Sequence, residues 1–60
     1  MATQAQAYII EHVGGESWEQ VESEYGGMTL EAIEADLHET FPTETESNTR
    51  LAALIYAELN

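Results

Sequence analysis

Residues 14–22 read GGESWEQVE and residues 26–34 read GGMTLEAIE. Set over each other at an offset of 12 residues, they share one pattern: Gly-Gly, any residue, Ser or Thr, a large apolar residue, Glu, any residue, a β-branched apolar residue, Glu. Each copy reads as helix punctuation. The glycine pair ends the preceding element, because glycine enters the left-handed conformation that commonly follows a helix. Ser17 and Thr29 then stand as N-caps, whose hydroxyls accept from first-turn N–H groups that lack an intrahelical partner. Gln20, three residues after Ser17, completes a capping box. Two amphipathic runs follow the caps. Trp18, Val21 and Tyr25 share one face of the first, and Leu30, Ile33, Leu37 and Phe41 recur at i, i+3, i+7 and i+11 in the second. The offset of 12 is shorter than the roughly 20–50 residues of solenoid repeats. Convergence on one helix grammar and duplication of a short segment would both leave this trace.

Outward from the doubled phrase, the helical pattern continues. In segment 3–13, TQAQAYIIEHV, Ala5, Ile9 and Val13 fall at i, i+4 and i+8. The β-branched content of AYIIEHV also permits a strand, but no second strand stands ready to pair with it. Pro42 ends the third run, since a residue before proline disfavours the helical conformation. Residues 43–47, TETES, read as a polar loop in which Glu46 or Ser47 caps a last helix over roughly 48–59. That helix carries Leu51, Leu54, Ile55 and Leu59, with Ala52, Ala53 and Ala57 allowing close approach. The expectation is an all-α fold: a small bundle of three helices plus one short helix, in a single acidic domain over residues 1–60.

Sixty residues allow one domain at most, and such a chain buries only about 60% of its unfolded surface. There is no cysteine, hence no disulfide staple and no thiolate metal site. The N-terminus has no basic region and only a short apolar run, Tyr8-Ile9-Ile10, which fits neither a signal peptide nor a bilayer span. A soluble, cytoplasmic protein is expected.

Charge carries the functional information. The chain has 12 acidic residues against one arginine and no lysine, for a net charge of −11. Ten acids lie between Glu16 and Glu46, and no cation precedes Arg50. Such a surface repels nucleic acid and anionic membranes and strains the compact state by self-repulsion. A hydrophobic content of 43%, with Trp18, Phe41 and three tyrosines, is too high for a disordered acidic tail.

Helical geometry places these acids in rows. Glu19, Glu22 and Glu24 flank the Trp18–Val21–Tyr25 face, and Glu31, Glu34, Asp36 and Glu39 occupy the polar arc behind Leu30 and Ile33. The two phrases present Glu19/Glu22 and Glu31/Glu34 as matched i, i+3 pairs of like charge, which repel. The helix dipole favours Glu19 and Glu31 in first turns by about 0.3–1 kcal/mol each. It does nothing for Glu22, Glu24, Glu34, Asp36 or Glu39. Three accounts meet the surplus: carboxylate rows imitating the phosphates of a nucleic-acid strand, adaptation to high salt, and an acidic docking module for a basic partner. Halophile surfaces use Asp freely, whereas here Asp36 stands alone among 11 glutamates.

The acids of ESWEQVESEYGG and LEAIEADLHE, in a short, lysine-free helical chain, resemble those of the small acidic DNA-mimic inhibitors of phages and mobile elements, the anti-CRISPR and anti-restriction type. The resemblance lies in charge and size across the whole chain, not in a shared motif. It implies an inhibitor that acts in the host-cell cytoplasm if phage-encoded. The inhibitor would block target-DNA binding by a CRISPR effector or similar nuclease, with no direct contact to nucleic acid or membrane, as a monomer or homodimer. Glu19, Glu22, Glu24, Glu31, Glu34, Asp36 and Glu39 are then the expected partner-binding residues. The competing expectation is a small acidic adaptor or salt-adapted module with no nucleic-acid-related partner.

Catalytic readings are weaker. Glu34 and His38 stand at i, i+4 with Asp36 and Glu39 near, but a metal site needs three or four ligands and His12 is remote in sequence. Ser17 already has work as an N-cap and lacks a strand–turn–helix elbow around it. The glycine pairs are ringed by acids and have no lysine to hold a phosphate. No catalytic, metal or cofactor residue is expected, and the chain is not expected to be an enzyme. Trp18 reads as core rather than as an interface anchor, and Arg50 pairs most simply with Glu46 at i, i+4.

Overall fold

Four α-helices build the chain in a computed structural model that describes residues 2–60. They are α1 (Gln4–Val13), α2 (Trp18–Tyr25), α3 (Leu30–Thr40) and α4 (Thr45–Leu59), of 10, 8, 11 and 15 residues. No strand occurs among the described residues. The long C-terminal helix is the hub: α3 and α1 both pack on it, and α2 packs on α1. α3 and α4 are an αα-hairpin whose connection runs over residues 41–44. The core is Ile9, Val21, Tyr25, Ile33, Leu37, Leu51, Ala52 and Ile55, drawn from all four helices. Trp18, Met28, Phe41, Leu54 and Leu59 pack at its edge, half-buried.

The two glycine pairs end their helices in different ways. After α1, Gly14 takes the left-handed conformation at φ 74°, and the Gly15 N–H donates back to the Ile10 carbonyl at 3.0 Å. That is the wide bond of a Schellman ending. After α2 the left-handed residue is the second glycine, Gly27, at φ 82°, while Gly26 is extended at φ −61°, ψ 131°. The Met28 N–H donates to the Tyr25 carbonyl at 3.1 Å, so residues 25–28 form a type II turn. A side chain at Gly26 would place its Cβ 2.4 Å from the Glu22 carbonyl oxygen. The doubled phrase is therefore one sequence pattern with two backbone solutions.

Ser17 and Thr29 cap as expected, each accepting from the N–H three residues on. The Gln20 side chain, however, receives the Glu16 N–H at 2.7 Å rather than that of Ser17, so the reciprocal half of the box shifts one residue back. A full capping box instead stands at the start of α1, where Thr3 and Gln6 exchange bonds of 3.1 and 3.0 Å. Phe41, before Pro42, leaves the helical region at φ −126°, ψ 71°, which ends α3.

Two expectations need correction. α4 starts at Thr45, three residues before the expected start, and its N-cap is Glu44, with no side-chain capping bond from Glu46 or Ser47. The cause is Asn48. It sits on the core face of α4 with 2% of its surface exposed, one turn before Leu51 and Ala52, and extends the buried stripe backwards with a polar residue. Leu30 departs from its apolar stripe and is 39% exposed. It stands in the first turn of α3 on the edge of the buried face, whereas Ile33 and Leu37 are fully buried.

Candidate acidic interaction surface

The seven acids expected to meet a partner divide into two groups. Glu19, Glu22 and Glu24 on α2 and Glu31 and Glu39 on α3 are exposed. Glu34 and Asp36 are half-buried, because they stand on the two flanks of α3 that neighbouring helices approach. Asp36 Oδ2 accepts from the Tyr25 hydroxyl at 2.9 Å, which ties α2 to α3. Glu34 Oε2 accepts from the Thr49 hydroxyl at 2.7 Å, which ties α3 to α4. Burial, then the bond to Asp36 and its charge, with Glu24 adding, raise the Tyr25 phenol well above its ordinary value of 10.

Beside Glu34 lies a polar cluster that the sequence reading did not assemble. Asn48 Nδ2 donates to the Phe41 carbonyl at 2.8 Å and lies 3.1 Å from His38 Nδ1. An amide nitrogen can only donate, so Nδ1 is the acceptor and the ring proton sits on Nε2. That nitrogen faces Glu34 Oε2 at 3.6 Å. Thr49, Glu34, His38, Asn48 and the Phe41 carbonyl thus form one chain of polar contacts across the α3–α4 hairpin. Glu34 and His38 have structural partners here. Among the described residues no group of three His, Cys, Asp or Glu side chains stands close enough to hold a metal ion. The signal in the sequence was Asn48 at i−3 and i−4 from Leu51 and Ala52, a polar residue in register with an apolar stripe.

Compensation elsewhere is slight. Arg50 Nη2 stands 3.7 Å from Glu46 Oε1, with the two side chains 76% and 91% exposed. A pair so open to water contributes a few tenths of a kcal/mol at most. Glu11 and Glu44 belong to the acidic surface as well: both are exposed and line one cleft between the end of α1 and the α3–α4 connection. Around the other helix starts, Glu19, Glu31 and Glu46 lie in first turns and gain from the helix dipole. No helix among the described residues is long and apolar enough to cross a membrane. No protein-family model, curated protein or solved structure matches the chain.

Proposed function

We propose that the protein is an acidic inhibitor that occupies the nucleic-acid-binding surface of another protein by charge mimicry of DNA. The observation that carries the reading is charge density on a folded body. The molecule measures 31 × 21 × 15 Å. A net charge of −11 over the 31 Å axis is one charge per about 2.8 Å, against about 1.7 Å of axis in duplex DNA. A groove lined with Lys and Arg to meet phosphates meets a comparable field here, on helices whose caps and core are already ordered. The 31 Å length is just short of one duplex turn of about 34 Å, so one copy covers a local patch of such a groove.

Glu19, Glu22, Glu24, Glu31 and Glu39 are the contacts this reading assigns, since they are exposed and, among the described residues, have no cation beside them. Glu34 and Asp36 contribute field while holding the helices together. By size and charge the chain resembles inhibitors of CRISPR effectors and restriction enzymes, and such a nuclease is the partner proposed. The test is a pull-down from host lysate at low salt, eluted by a salt gradient, with Glu19→Lys/Glu22→Lys as the control bait. Capture of a nucleic-acid-binding protein that DNA displaces, and that the reversed bait fails to hold, supports mimicry. Equal capture by both baits rules it out, and a partner that DNA cannot displace marks an acidic adaptor instead.

A further inference from the structure

The cleft between the C-terminal end of α1 and the α3–α4 connection has a volume of about 330 Å³ and a composition unlike the open acidic rows. Its apolar lining is Phe41 and Leu51, and exposed carboxylates stand at its sides, Glu11 on α1 and Glu44 at the start of α4. Asn48, 2% exposed, also lines it, and His12 and Ser47 complete the lining. The Asn48 Nδ2 group is committed to the Phe41 carbonyl and His38. Among the described residues no buried side-chain oxygen or nitrogen is both sealed from solvent and without a partner. Asn48 Oδ1 receives no internal hydrogen bond, so it is an acceptor open at the cleft. One fixed carbonyl, two carboxylates on different elements and an apolar lining converge on a single opening.

We propose that this cleft seats an arginine side chain of a basic partner protein, its guanidinium shared between Glu11, Glu44 and Asn48 Oδ1. This proposal rests on the reading that the partner presents a basic surface, and it adds a defined anchor to a field that is otherwise diffuse. The acceptors call for a donor-rich cation: two carboxylates and a side-chain carbonyl outnumber the His12 ring and Ser47 hydroxyl beside them, and the carboxylates repel an anion. A guanidinium supplies five N–H donors in a planar fork, which three acceptors around one opening can use together. Its face packs on the Phe41 ring by cation–π attraction, and its three-methylene stem covers the Leu51 side of the cleft. A lysine ammonium is more strongly hydrated and brings no plane to stack. Interface energy concentrates in such desolvated anchors, while rows of exposed charge mainly steer the encounter.

The full chain, labelled with ¹⁵N, is titrated with N-acetyl-arginine amide and separately with N-acetyl-lysine amide, at neutral pH and low salt, with amide shifts as the readout. The arginine derivative is expected to shift Glu11, Phe41, Glu44 and the Asn48 side-chain amide first, and to bind at least about threefold more tightly than the lysine derivative. Glu11→Gln/Glu44→Gln, two isosteric changes at exposed positions, weakens it about fivefold, whereas Glu19→Gln/Glu22→Gln changes it less than about twofold. Shifts spread evenly over all acidic residues, equal binding of the two derivatives, or indifference to Glu11→Gln/Glu44→Gln each overturn the proposal. A chain that captures no nucleic-acid-binding protein yet seats the arginine derivative keeps this cleft and loses only the mimicry reading. One that captures such a protein but ignores the derivative does the reverse.

Discussion

Tyr25→Phe removes one hydroxyl from the junction of α2 and α3 and leaves the rest of the core in place. Tyr25 is 4% exposed, and its hydroxyl donates to Asp36 Oδ2 at 2.9 Å. A hydrogen bond to a charged acceptor is worth about 1.5–3 kcal/mol. Asp36 is half-buried and keeps some water, which puts this bond at the lower end, about 1.5 kcal/mol. A 60-residue domain holds about 3–9 kcal/mol in total, so the loss is a large fraction of it. It corresponds to a fall in Tm of about 6–12 °C.

The same bond gives stability a sign with pH. The Tyr25 phenol is raised above its ordinary 10, by burial first and then by Asp36 and Glu24. The fold therefore favours the neutral phenol. Its contribution is complete below pH 10 and is lost as pH climbs through the higher value of the folded state. With no lysine and no cysteine in the chain, no ammonium or thiol side chain titrates across that window. Denaturant unfolding followed by Trp18 fluorescence, repeated from neutral pH to about pH 12, measures the linkage. Wild type is expected to lose stability above pH 10, and Tyr25→Phe to start lower and run flatter. Asp36→Asn should keep a late-titrating phenol, because burial is the largest cause of the shift. If wild type and Tyr25→Phe decline in parallel above pH 10, Tyr25 is not the linked group and the reasoning fails.

Other consequences follow from the turns and the hairpin. Gly26→Ala drives a Cβ to 2.4 Å from the Glu22 carbonyl and should cost about 2 kcal/mol or more in thermal denaturation. Gly27→Ala meets no atom within 4 Å but sits at φ 82°, and should cost only about 1 kcal/mol. Asn48→Ala forfeits two hydrogen bonds, about 2 kcal/mol by chemical denaturation, and should broaden the His38 ring resonances as its Nδ1 partner is lost. Glu22→Lys relieves like-charge repulsion and should stabilise the chain by about 0.3 kcal/mol while weakening partner capture. Glu34→Lys breaks the bond from Thr49 and should destabilise by about 1 kcal/mol, so equal melting temperatures for the two reversals would contradict the division of the acids.

Helix existence and the caps at Ser17 and Thr29 were legible because they depend on local chemistry. Ser17, Thr29, the glycine pairs and Pro42 act within a few residues of themselves, and their physics leaves a local signature. The start of α4 was not legible for the opposite reason. Asn48 looks like a loop residue until the Phe41 carbonyl, which also accepts from the Glu44 N–H, takes a bond from its side chain, and that meeting is a tertiary event. The same limit applied to the acids. Periodicity placed Glu34 and Asp36 correctly on the polar arc of α3, but it contains no information about which neighbour stands beside each flank. Only the packing of α4 and α2 against α3 shows that Thr49 and Tyr25 are waiting there.

This sorting bears on why so acidic a chain folds at all. Glu22 and Glu34 hold the same place in the two phrases, yet one is exposed and the other takes a hydroxyl from Thr49. Asp36 likewise takes one from Tyr25. Hydroxyl donors solvate a carboxylate without neutralising it, so each bond reduces the cost of half-burying the charge and leaves the net charge at −11. A lysine at the exposed Thr49 would have paired with Glu34 and cancelled one charge, whereas at Tyr25, a core residue, it would have buried an ammonium. Threonine in place of lysine at position 49 is what a surface needs if its negative potential is itself the working part. By that logic, Thr49→Lys should raise stability while lowering affinity for a basic partner. A Thr49→Lys variant that binds as tightly as wild type would mean that the charge is incidental.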